Sequence, residues 1–528
     1  MRVRQEVAKG MVAAVLLVVV AGCGTSAGPS IVAPLDDSLS PLGLIAPTNI
    51  ATTARVDFGT HLVGQGGAQQ PLFEGWGQPQ LVFMLSGRQN GYLEPCGCTG
   101  LANQKGGLAR RMTLYQDLVN TRKWPVVPLD VGNYVKRYGR QSEIKFQRIV
   151  NGLSRMGYRA MGLGPDDLRL PSEELIAAMA ASENPFVCAN VVVIDEQFTP
   201  RTRIVKAGGK TIGITAILGG EEHKKVGDND EVQFVPAKKA LPAVIAELKR
   251  AKCDMMILLA HAGLVESRAL AKDFPDFHLI VSAGGADEPP FEIEQVTGTK
   301  TQLVQVGSKG MYVGVLGMFG GDKPFRYQRV PLDNRFEDAP DMLRLLEAYQ
   351  DQLRQEGFAA LGLKPIVKDA GRKFVGSKAC ADCHSSAWEV FQNTTHAHAT
   401  ESLVNPPERG GIPRHFDPEC VCCHVTGWEP QLVIPFKSGF AGLKETPELV
   451  GNGCENCHGP GSAHVAAEDG SRAVTDRERM SLREAMRLPL AKAEQKCLEC
   501  HDIDNSPAFH QEGAFKEYWK KVEHKGKD

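Results

Sequence analysis

CADCH at residues 380–384, CVCCH at 420–424, CENCH at 454–458 and CLECH at 497–501 lie in the last third of this 528-residue chain. Each follows the pattern Cys-x-x-Cys-His, in which two thiols attach a porphyrin and the adjoining histidine binds its iron. Zinc sites also use Cys-x-x-Cys knuckles, but they pair two knuckles around one ion and need no histidine after each. The pattern therefore predicts four covalently attached c-type haems.

These pentads assign twelve side chains to the haems. The attaching cysteines are Cys380, Cys383, Cys420, Cys423, Cys454, Cys457, Cys497 and Cys500, and the proximal iron ligands are His384, His424, His458 and His501. Cys422 is left over, because only Cys420 and Cys423 have the spacing that His424 requires. The region holds six further histidines but only two methionines, so the sequence predicts bis-histidine ligation and low reduction potentials.

The segment from about Val375 to His501 resembles the tetrahaem cytochrome c five-five-four family, the electron carrier of nitrifying bacteria. The resemblance rests on CADCHSSAWEVFQNTTHAHATESL, DPECVCCHVTGW, GNGCENCHGPGSAH and KCLECH, in that order. It implies that His396, in the Thr-x-His-Ala stretch, and His464, after the Gly-Pro-Gly turn, are distal ligands. Family members can leave one haem five-coordinate, and the sequence does not tell which haem that would be here.

The remaining distal ligands are open at this point. The aromatic tail PAFHQEGAFKEYWKKVEH can fold back over a haem, which favours His524 over His510. His398 would point away from the iron that His396 binds if both lay on one helix, so a surface position and a ligand role fit it equally well. His415, just before the second pentad, is another alternative.

The N-terminus predicts export. Arg2, Arg4 and Lys9 precede an apolar run at residues 11–20 that is too short to span a bilayer, and VVAGC resembles a bacterial lipobox ending at Cys23. We therefore expect lipidation of Cys23 and an extracytoplasmic, membrane-anchored protein, with a plain signal peptide as the alternative. The formal net charge of -2 does not favour a nucleic-acid partner.

Between the export signal and the pentads, short apolar strand-like runs alternate with helical patterns, which favours an α/β domain. Apolar residues from Met342 to Leu353 recur at helical spacing and predict a connecting helix. The predicted organisation is a signal peptide at 1–23, a flexible tether at 24–78, an α/β domain at 79–335, a connecting helix and linker at 336–372, and a mostly helical or irregular tetrahaem domain at 373–528.

The α/β domain resembles the calcineurin-like metallophosphatase domain of the bacterial 5'-nucleotidase family, a layered β-sandwich flanked by helices. The motifs are NGYLEPCGCTGLANQKGGLARRMTLYQDL, LDVGN, GYRAMGLGPDD, PFVCANV, LLAHAGL and VQVGSKGMYVG, within roughly residues 79–320. The family holds two divalent metals with an Asp-x-His pair, a bridging Asp, an Asn-His pair and late histidines, and uses them to activate water.

Most of these metal ligands are replaced. Arg88 and Asn90 stand where Asp and His belong, Asn133 replaces the bridging Asp, and Pro165-Asp166 replaces Asn-His. Gly284, Gly285 and Ala286 replace the late Gly-His-x-His, while His261 and Asp130 keep family residue types. Because a cationic Arg88 opposes a dication site, we expect no dinuclear divalent metal and no hydrolysis.

Cys96 and Cys98 stand near this former metal site. A disulfide, a metal site with His261, and plain structural thiols are all compatible with Cys-x-Cys, and an oxidising compartment favours the disulfide.

The sequence thus predicts an extracytoplasmic electron carrier whose partners are redox donor and acceptor proteins or quinone-linked enzymes. One alternative is an oxidoreductase that acts on a small nitrogen or sulfur compound at a five-coordinate haem. The other is phosphoesterase or nucleotidase activity in the α/β domain.

Overall fold

The computed structural model describes residues 71–95, 104–137, 139–180, 184–227, 229–321, 324–369 and 371–526. The predicted signal peptide with Cys23, most of the predicted tether, and the pair Cys96 and Cys98 lie outside these ranges. All described residues fall within one compact unit, which the chain division places at Gln65–Asp528. Within them, no helix has both the length and the apolar composition that crossing a bilayer demands.

The strands of the N-terminal region form two larger sheets and a small ribbon. They are β1 (Leu81–Ser86), β2 (Val126–Asp130), β3 (Ala160–Met161), β4 (Val191–Val193), β5 (Arg203–Ala207), β6 (Lys210–Leu218), β7 (Val232–Phe234), β8 (Met255–His261), β9 (Leu279–Ser282), β10 (Glu294–Gln295), β11 (Gln302–Gln305), β12 (Tyr312–Met318) and β13 (Phe325–Pro331). The first sheet has the order β13-β12-β1-β2-β3 and the second the order β10-β11-β9-β8-β6-β5, while β4 pairs with β7.

The two larger sheets pack face to face. Along β1 the side chains alternate between two clusters, with Leu81, Phe83 and Leu85 in one and Val82 and Met84 in the other. The first cluster also contains residues of β6, β8 and β9, so this face of β1 meets the second sheet. Because successive strand residues point to opposite faces, the all-apolar LVFML run is explained by burial on both sides.

Helices cover the outer faces of these sheets. They are α1 (Leu108–Gln116), α2 (Arg140–Arg155), α3 (Ser172–Met179), α4 (Gly220–His223), α5 (Ala237–Arg250), α6 (Leu264–Asp273) and α7 (Pro340–Ala360). Buried residues of α2 and α7 share one apolar cluster, so α7 packs on the N-terminal region along its length. Its regular course is broken at Gly357, whose φ is +66°. The layered α/β architecture expected from the sequence is confirmed.

The pentad region is built from short helices and long loops. The helices are α8 (Ser385–Gln392), α9 (Glu401–Val404), α10 (Pro418–His424), α11 (Cys454–His458), α12 (Ser462–Glu468), α13 (Asp476–Ala485), α14 (Leu490–Cys497) and α15 (Ala514–Trp519), and one ribbon joins β14 (Trp428–Glu429) to β15 (Ile434–Pro435). The second pentad ends α10 and the third is the whole of α11. This region is mostly helical and irregular, as expected.

Candidate functional site

Three pairs of histidines face each other in the pentad region. The ring centroids are 6.3 Å apart for His384 and His464, 6.1 Å for His396 and His501, and 5.9 Å for His458 and His524. One metal ion between two imidazoles needs about this separation, since it makes two bonds of about 2 Å and each ring adds half its width. Each pair joins one pentad histidine to one histidine from elsewhere, so three of the four predicted haem sites have a facing imidazole.

Hydrogen bonds orient the pentad imidazoles. The Nδ1 atoms of His424 and His458 lie 2.8 Å from the carbonyl oxygens of Ala399 and Met486. When Nδ1 donates to a carbonyl, the opposite nitrogen keeps the lone pair that binds a metal. Burial also lowers the pKa of both imidazoles, which favours the neutral, ligating form. These side chains therefore fit an iron ligand.

The other predicted alternatives have different surroundings. His398 is exposed, with Nδ1 3.3 Å from a carboxylate oxygen of Glu401. The ring of His415 contacts that of Phe416 at a tilt of 42°, and the Nε2 of His510 lies 2.9 Å from the carbonyl oxygen of His501. Among the described ring contacts, none brings these three histidines opposite a pentad histidine.

The pentads lie next to one another in a definite order. The Cys380 thiol contacts that of Cys454, which brings the first pentad to the third. Cys457 is close enough to Cys497 for an electrostatic interaction, and Cys500 contacts Cys423. The order in space is therefore first, third, fourth and second.

The second pentad opens onto a cavity of about 420 Å³. One wall carries Cys420, Cys423 and His424, and Cys500 of the fourth pentad also lines it. The facing wall comes from the N-terminal region, by residues 90–95, 135–137, Ser142 and Lys145. Within its described lining His424 is the sole histidine, and methionine is absent. In this part of the structure, the second pentad differs from the other three in having no facing imidazole.

Residues of the N-terminal region hold the helix that bears this pentad. Asp417, 5% exposed, caps α10 by accepting the backbone N–H of Glu419 at 3.0 Å. Its carboxylate also accepts hydrogen bonds from Gln141 at 2.7 Å and from Tyr349 at 3.1 Å. Burial raises the pKa of Asp417, because enclosing a charged carboxylate is unfavourable. The hydrogen bonds to the carboxylate offset part of that cost. The cap thus ties α10 to both α2 and α7.

Three ion pairs strengthen the same interface. Lys145 lies 2.6 Å from Glu419, and Arg414 binds both carboxylate oxygens of Glu94 at 2.9 and 2.7 Å. Burial opposes both charges of the first pair, yet their attraction raises the pKa of Lys145 and lowers that of Glu419. In the third, Asp504, near His501 in sequence, contacts Lys309 directly.

A second cavity, of about 400 Å³, lies at the strand ends of the N-terminal region. It gathers the positions that the sequence assigned to the former metal site, namely Arg88, Asn90, Asn133, Pro165, Asp166, His261, Gly284 and Gly285. Asp130 is buried beneath them and accepts a hydrogen bond from Ser86 at 2.6 Å. The resemblance to the metallophosphatase family thus located a cleft that the structure contains.

The chemistry of this cleft differs from that of a dinuclear metal site. Arg88 pairs with Asp287 at 2.9 Å, and Asn133 donates to Asn90 at 2.9 Å and to Asp166 at 3.1 Å. Burial lowers the pKa of His261 to about 4, and the charge of Arg88 contributes to that shift. Among the described residues, no group of three or more His, Cys, Asp or Glu side chains is arranged to hold a metal ion.

Several residues of these cavities carried no signal in the sequence. Lys136, Lys145 and Lys225 belong to no motif, and neither do Asp504 and Glu222, the carboxylate partners of Lys136 and Lys225. They lie on helices and loops that meet only in the folded chain. The ion pair between Glu94 and Arg414 could be predicted only from the interface between the two regions.

Comparison with known proteins supports both resemblances. Residues 379–459 match the family model described as cytochrome c554 and c-prime. Cytochrome c-554 of Nitrosomonas europaea is 31% identical over 154 residues, which cover 26% of this chain and 62% of that protein. The pentad region is therefore similar to cytochrome c554, as the resemblance in the sequence led us to expect.

The N-terminal region is similar to apyrases and 5'-nucleotidases. An apyrase of Aedes albopictus is 23% identical over 342 residues, covering 58% of this chain and 59% of the relative. A 5'-nucleotidase precursor from Thermus thermophilus aligns in structure with a TM-score of 0.45 and 19% identity, over 61% of this chain and 66% of that one. The chain spans about three fifths of the length of these first relatives.

Proposed function

We propose that this protein binds four c-type haems and carries electrons outside the cytoplasm. The observation that carries the proposal is the set of three facing histidine pairs, each about 6 Å between ring centroids and each containing one pentad histidine. Iron bound by two imidazoles keeps no free position for a substrate, so such a centre passes electrons without binding substrate.

In this proposal each haem has named ligands. His384 and His464 bind the first iron, His458 and His524 the third, and His501 and His396 the fourth. His424 is the proximal ligand of the second iron, and the eight pentad cysteines form the thioethers. Electrons pass between neighbouring centres in the order first, third, fourth and second, which the thiol contacts support.

The N-terminal region serves as a scaffold in this account. Its side chains fix α10 through Asp417 and Glu419, so it determines the position of the second pentad and encloses the cavity beside it. The replaced ligands at Arg88, Asn90 and Asn133 support the loss of dinuclear hydrolysis. The lipobox at Cys23 supports anchoring to a membrane, where redox proteins or quinone-linked enzymes would supply and accept the electrons.

A second candidate function rests on the cavity beside His424. A haem held by one histidine can bind a small molecule at its sixth position. His424 is the sole histidine in the described lining of this cavity, which suits an oxidoreductase acting on a small nitrogen or sulfur compound at that iron. This activity would add to electron transfer, since the other three centres would still connect the site to external partners.

The proposal is tested by counting haems and measuring their potentials. A pyridine haemochrome assay on the full-length protein should give four haems per chain, and potentiometric titration should show low potentials typical of bis-histidine ligation. Substituting Cys454 and Cys457 by Ala should lower the count to three. A wild-type count below four would refute the tetrahaem assignment.

A further inference from the structure

We infer that Phe509 and Tyr518 are positioning residues for the third haem, although the imidazole that they touch belongs to the fourth. They pack on His501 and so fix the segment that carries His524, the distal ligand of the third iron. This role rests on the proposed function above, because it takes the facing histidines as axial ligand pairs. The ligation of one haem then depends on contacts made at its neighbour.

The segment that carries His524 has no hydrogen bond to the rest of the pentad region. Residues 520–524 follow α15 and lie outside any helix or strand. In the described part of the chain, their hydrogen bonds reach only residues from Lys516 onward. His524 is exposed, and its Nδ1 lies 2.8 Å from the carbonyl oxygen of Val522 in the same segment. The position of His524 is therefore set by the contacts that hold α15.

The other two distal ligands have supports of their own. His464 lies within helix α12, where its Nδ1 is 3.9 Å from the carboxylate of Glu468. The carbonyl oxygen of His396 accepts the backbone N–H of Asn452 at 2.9 Å, just before the third pentad. Among the three, His524 is thus the ligand that most needs a support from outside its own segment.

Two aromatic side chains hold α15 against the fourth pentad. The ring of Phe509 lies nearly parallel to that of His501, at 17° and 5.0 Å between centroids, and Tyr518 meets His501 edge-on at 5.4 Å. Phe509 and Tyr518 also contact each other at 5.0 Å. Ala514, one turn before Tyr518 on the same face of α15, is buried as well. Because aromatic contacts of this kind stabilise beyond the burial of area, the cluster fixes the helix on His501.

The third and fourth pentads are close enough for one segment to serve both. Cys457 of the third interacts electrostatically with Cys497 of the fourth. His524 follows Tyr518 by six residues, and its ring lies 5.9 Å from that of His458. A helix that is docked on the fourth pentad can therefore present an imidazole to the third.

Truncating Tyr518 should affect the third haem rather than the fourth, which it touches. The Nδ1 of His501 would still lie 3.1 Å from the hydroxyl oxygen of Ser506, and His396 would still face His501. The fourth iron thus keeps both ligands. The third iron loses the contact that holds His524 in place.

Electron paramagnetic resonance of the oxidised, haem-loaded, full-length protein tests this role. Tyr518→Ala should add a high-spin component beyond any in the wild type, no larger than the one that His524→Ala adds. Phe509→Leu, which keeps an apolar side chain but removes the stacked ring, should act in the same direction. The pyridine haemochrome count should not change in these variants, because the attaching cysteines are untouched.

Tyr518→Phe is the matched control, since it keeps the ring that contacts His501 and should give the wild-type spectrum. Lys516→Ala changes an exposed residue of the same helix and should also leave the spectrum unchanged.

Double variants locate the affected haem. Tyr518→Ala should add nothing to the high-spin signal of His524→Ala, because the third iron has already lost its distal ligand. Combined with His396→Ala, which opens the fourth iron, it should add a second high-spin component.

Three results would overturn the inference, and they differ in meaning. A wild-type spectrum or a lower haem count in Tyr518→Ala would show that Tyr518 does not position His524. A signal that adds to that of His524→Ala but not to that of His396→Ala would place the effect on the fourth haem. If His524→Ala itself adds no high-spin signal, the ligand assignment in the proposed function fails, and the role of Tyr518 fails with it.

Discussion

The ammonium of Lys145 lies 2.6 Å from the carboxylate of Glu419, and this pair joins α2 of the N-terminal region to α10, the helix that carries the second pentad. The lysine side chain is 9% exposed and the glutamate 36%. Removing the lysine therefore leaves the Glu419 carboxylate without its direct partner at a partly closed interface, where Arg137 and Lys136 remain to act on it electrostatically. Through this ion pair the N-terminal region helps to hold the helix that carries the second pentad.

Lys145→Gln should lower the free energy of unfolding by about 1–2 kcal/mol. Breaking a fully buried pair costs about 3–5 kcal/mol, but the exposed part of Glu419 reduces that cost. Urea denaturation of the haem-loaded protein measures the change, with Lys249→Gln as a surface control that should shift it by less than about 0.5 kcal/mol. Equal effects of the two substitutions would show that the interface pair contributes no more than a surface pair.

Loss of His464 should change the spin state of one haem. His464→Ala removes the imidazole that faces His384, so the first iron should become high-spin and increase the high-spin signal in electron paramagnetic resonance spectra above that of the wild type. His398→Ala is the control, because His398 is exposed and should leave the spectrum unchanged. A spectral change in the control and none in His464→Ala would reverse the ligand assignment.

Acid should destabilise the N-terminal region through His261. Burial lowers its folded pKa to about 4, below the unfolded value of about 6.5. Between these values the unfolded chain binds the proton more readily, so this contribution to stability is complete above about pH 6.5 and is lost towards pH 4. His261→Gln should remove about 3 kcal/mol of that pH dependence, at about 1.4 kcal/mol for each pKa unit, and unfolding curves at several pH values measure it.

The exposed His398 provides the control for that experiment. His398→Gln should retain the wild-type loss of stability between pH 6.5 and 4. If His261→Gln shows the same pH dependence as the wild type, His261 is not the group responsible.

The N-terminal region should neither retain divalent metal nor hydrolyse nucleotides. Arg88 lies in the cleft where a dication would have to bind, and like charges at short range repel. After incubation with Mn²⁺ or Zn²⁺ and dialysis, metal analysis should find only haem iron, and adenosine nucleotides should remain intact. Stoichiometric Mn²⁺ or Zn²⁺ with release of phosphate would contradict the proposed loss of hydrolysis.

Covalent chemistry made the haem attachment residues predictable from the sequence. Tertiary contacts, which the sequence does not show, decide which distal histidine faces each pentad histidine. A thioether requires a fixed spacing of Cys420, Cys423 and His424, so that pattern is visible in the chain itself. His396 is different, because it precedes the second pentad in sequence yet faces His501 of the fourth. No local spacing encodes that pairing.

The residues that line the two cavities also divide into some that the sequence predicts and some that it does not. The positions from Arg88 to Gly285 could be located because the motifs around them resemble those of the metallophosphatase family and follow the same order. Lys136 and Lys145 could not, since a lysine on a helix or loop is ordinarily solvated. Only the contact between the two regions encloses Lys145 and brings the exposed Lys136 to Asp504.

Spin quantification by electron paramagnetic resonance on the oxidised full-length protein tests the central claim most directly. The account predicts four haems per chain, three of them low-spin with two imidazole ligands and one high-spin, the last being absent from a Cys420→Ala, Cys423→Ala variant. Four low-spin haems, or a high-spin signal that survives in that variant, would contradict the open position at His424.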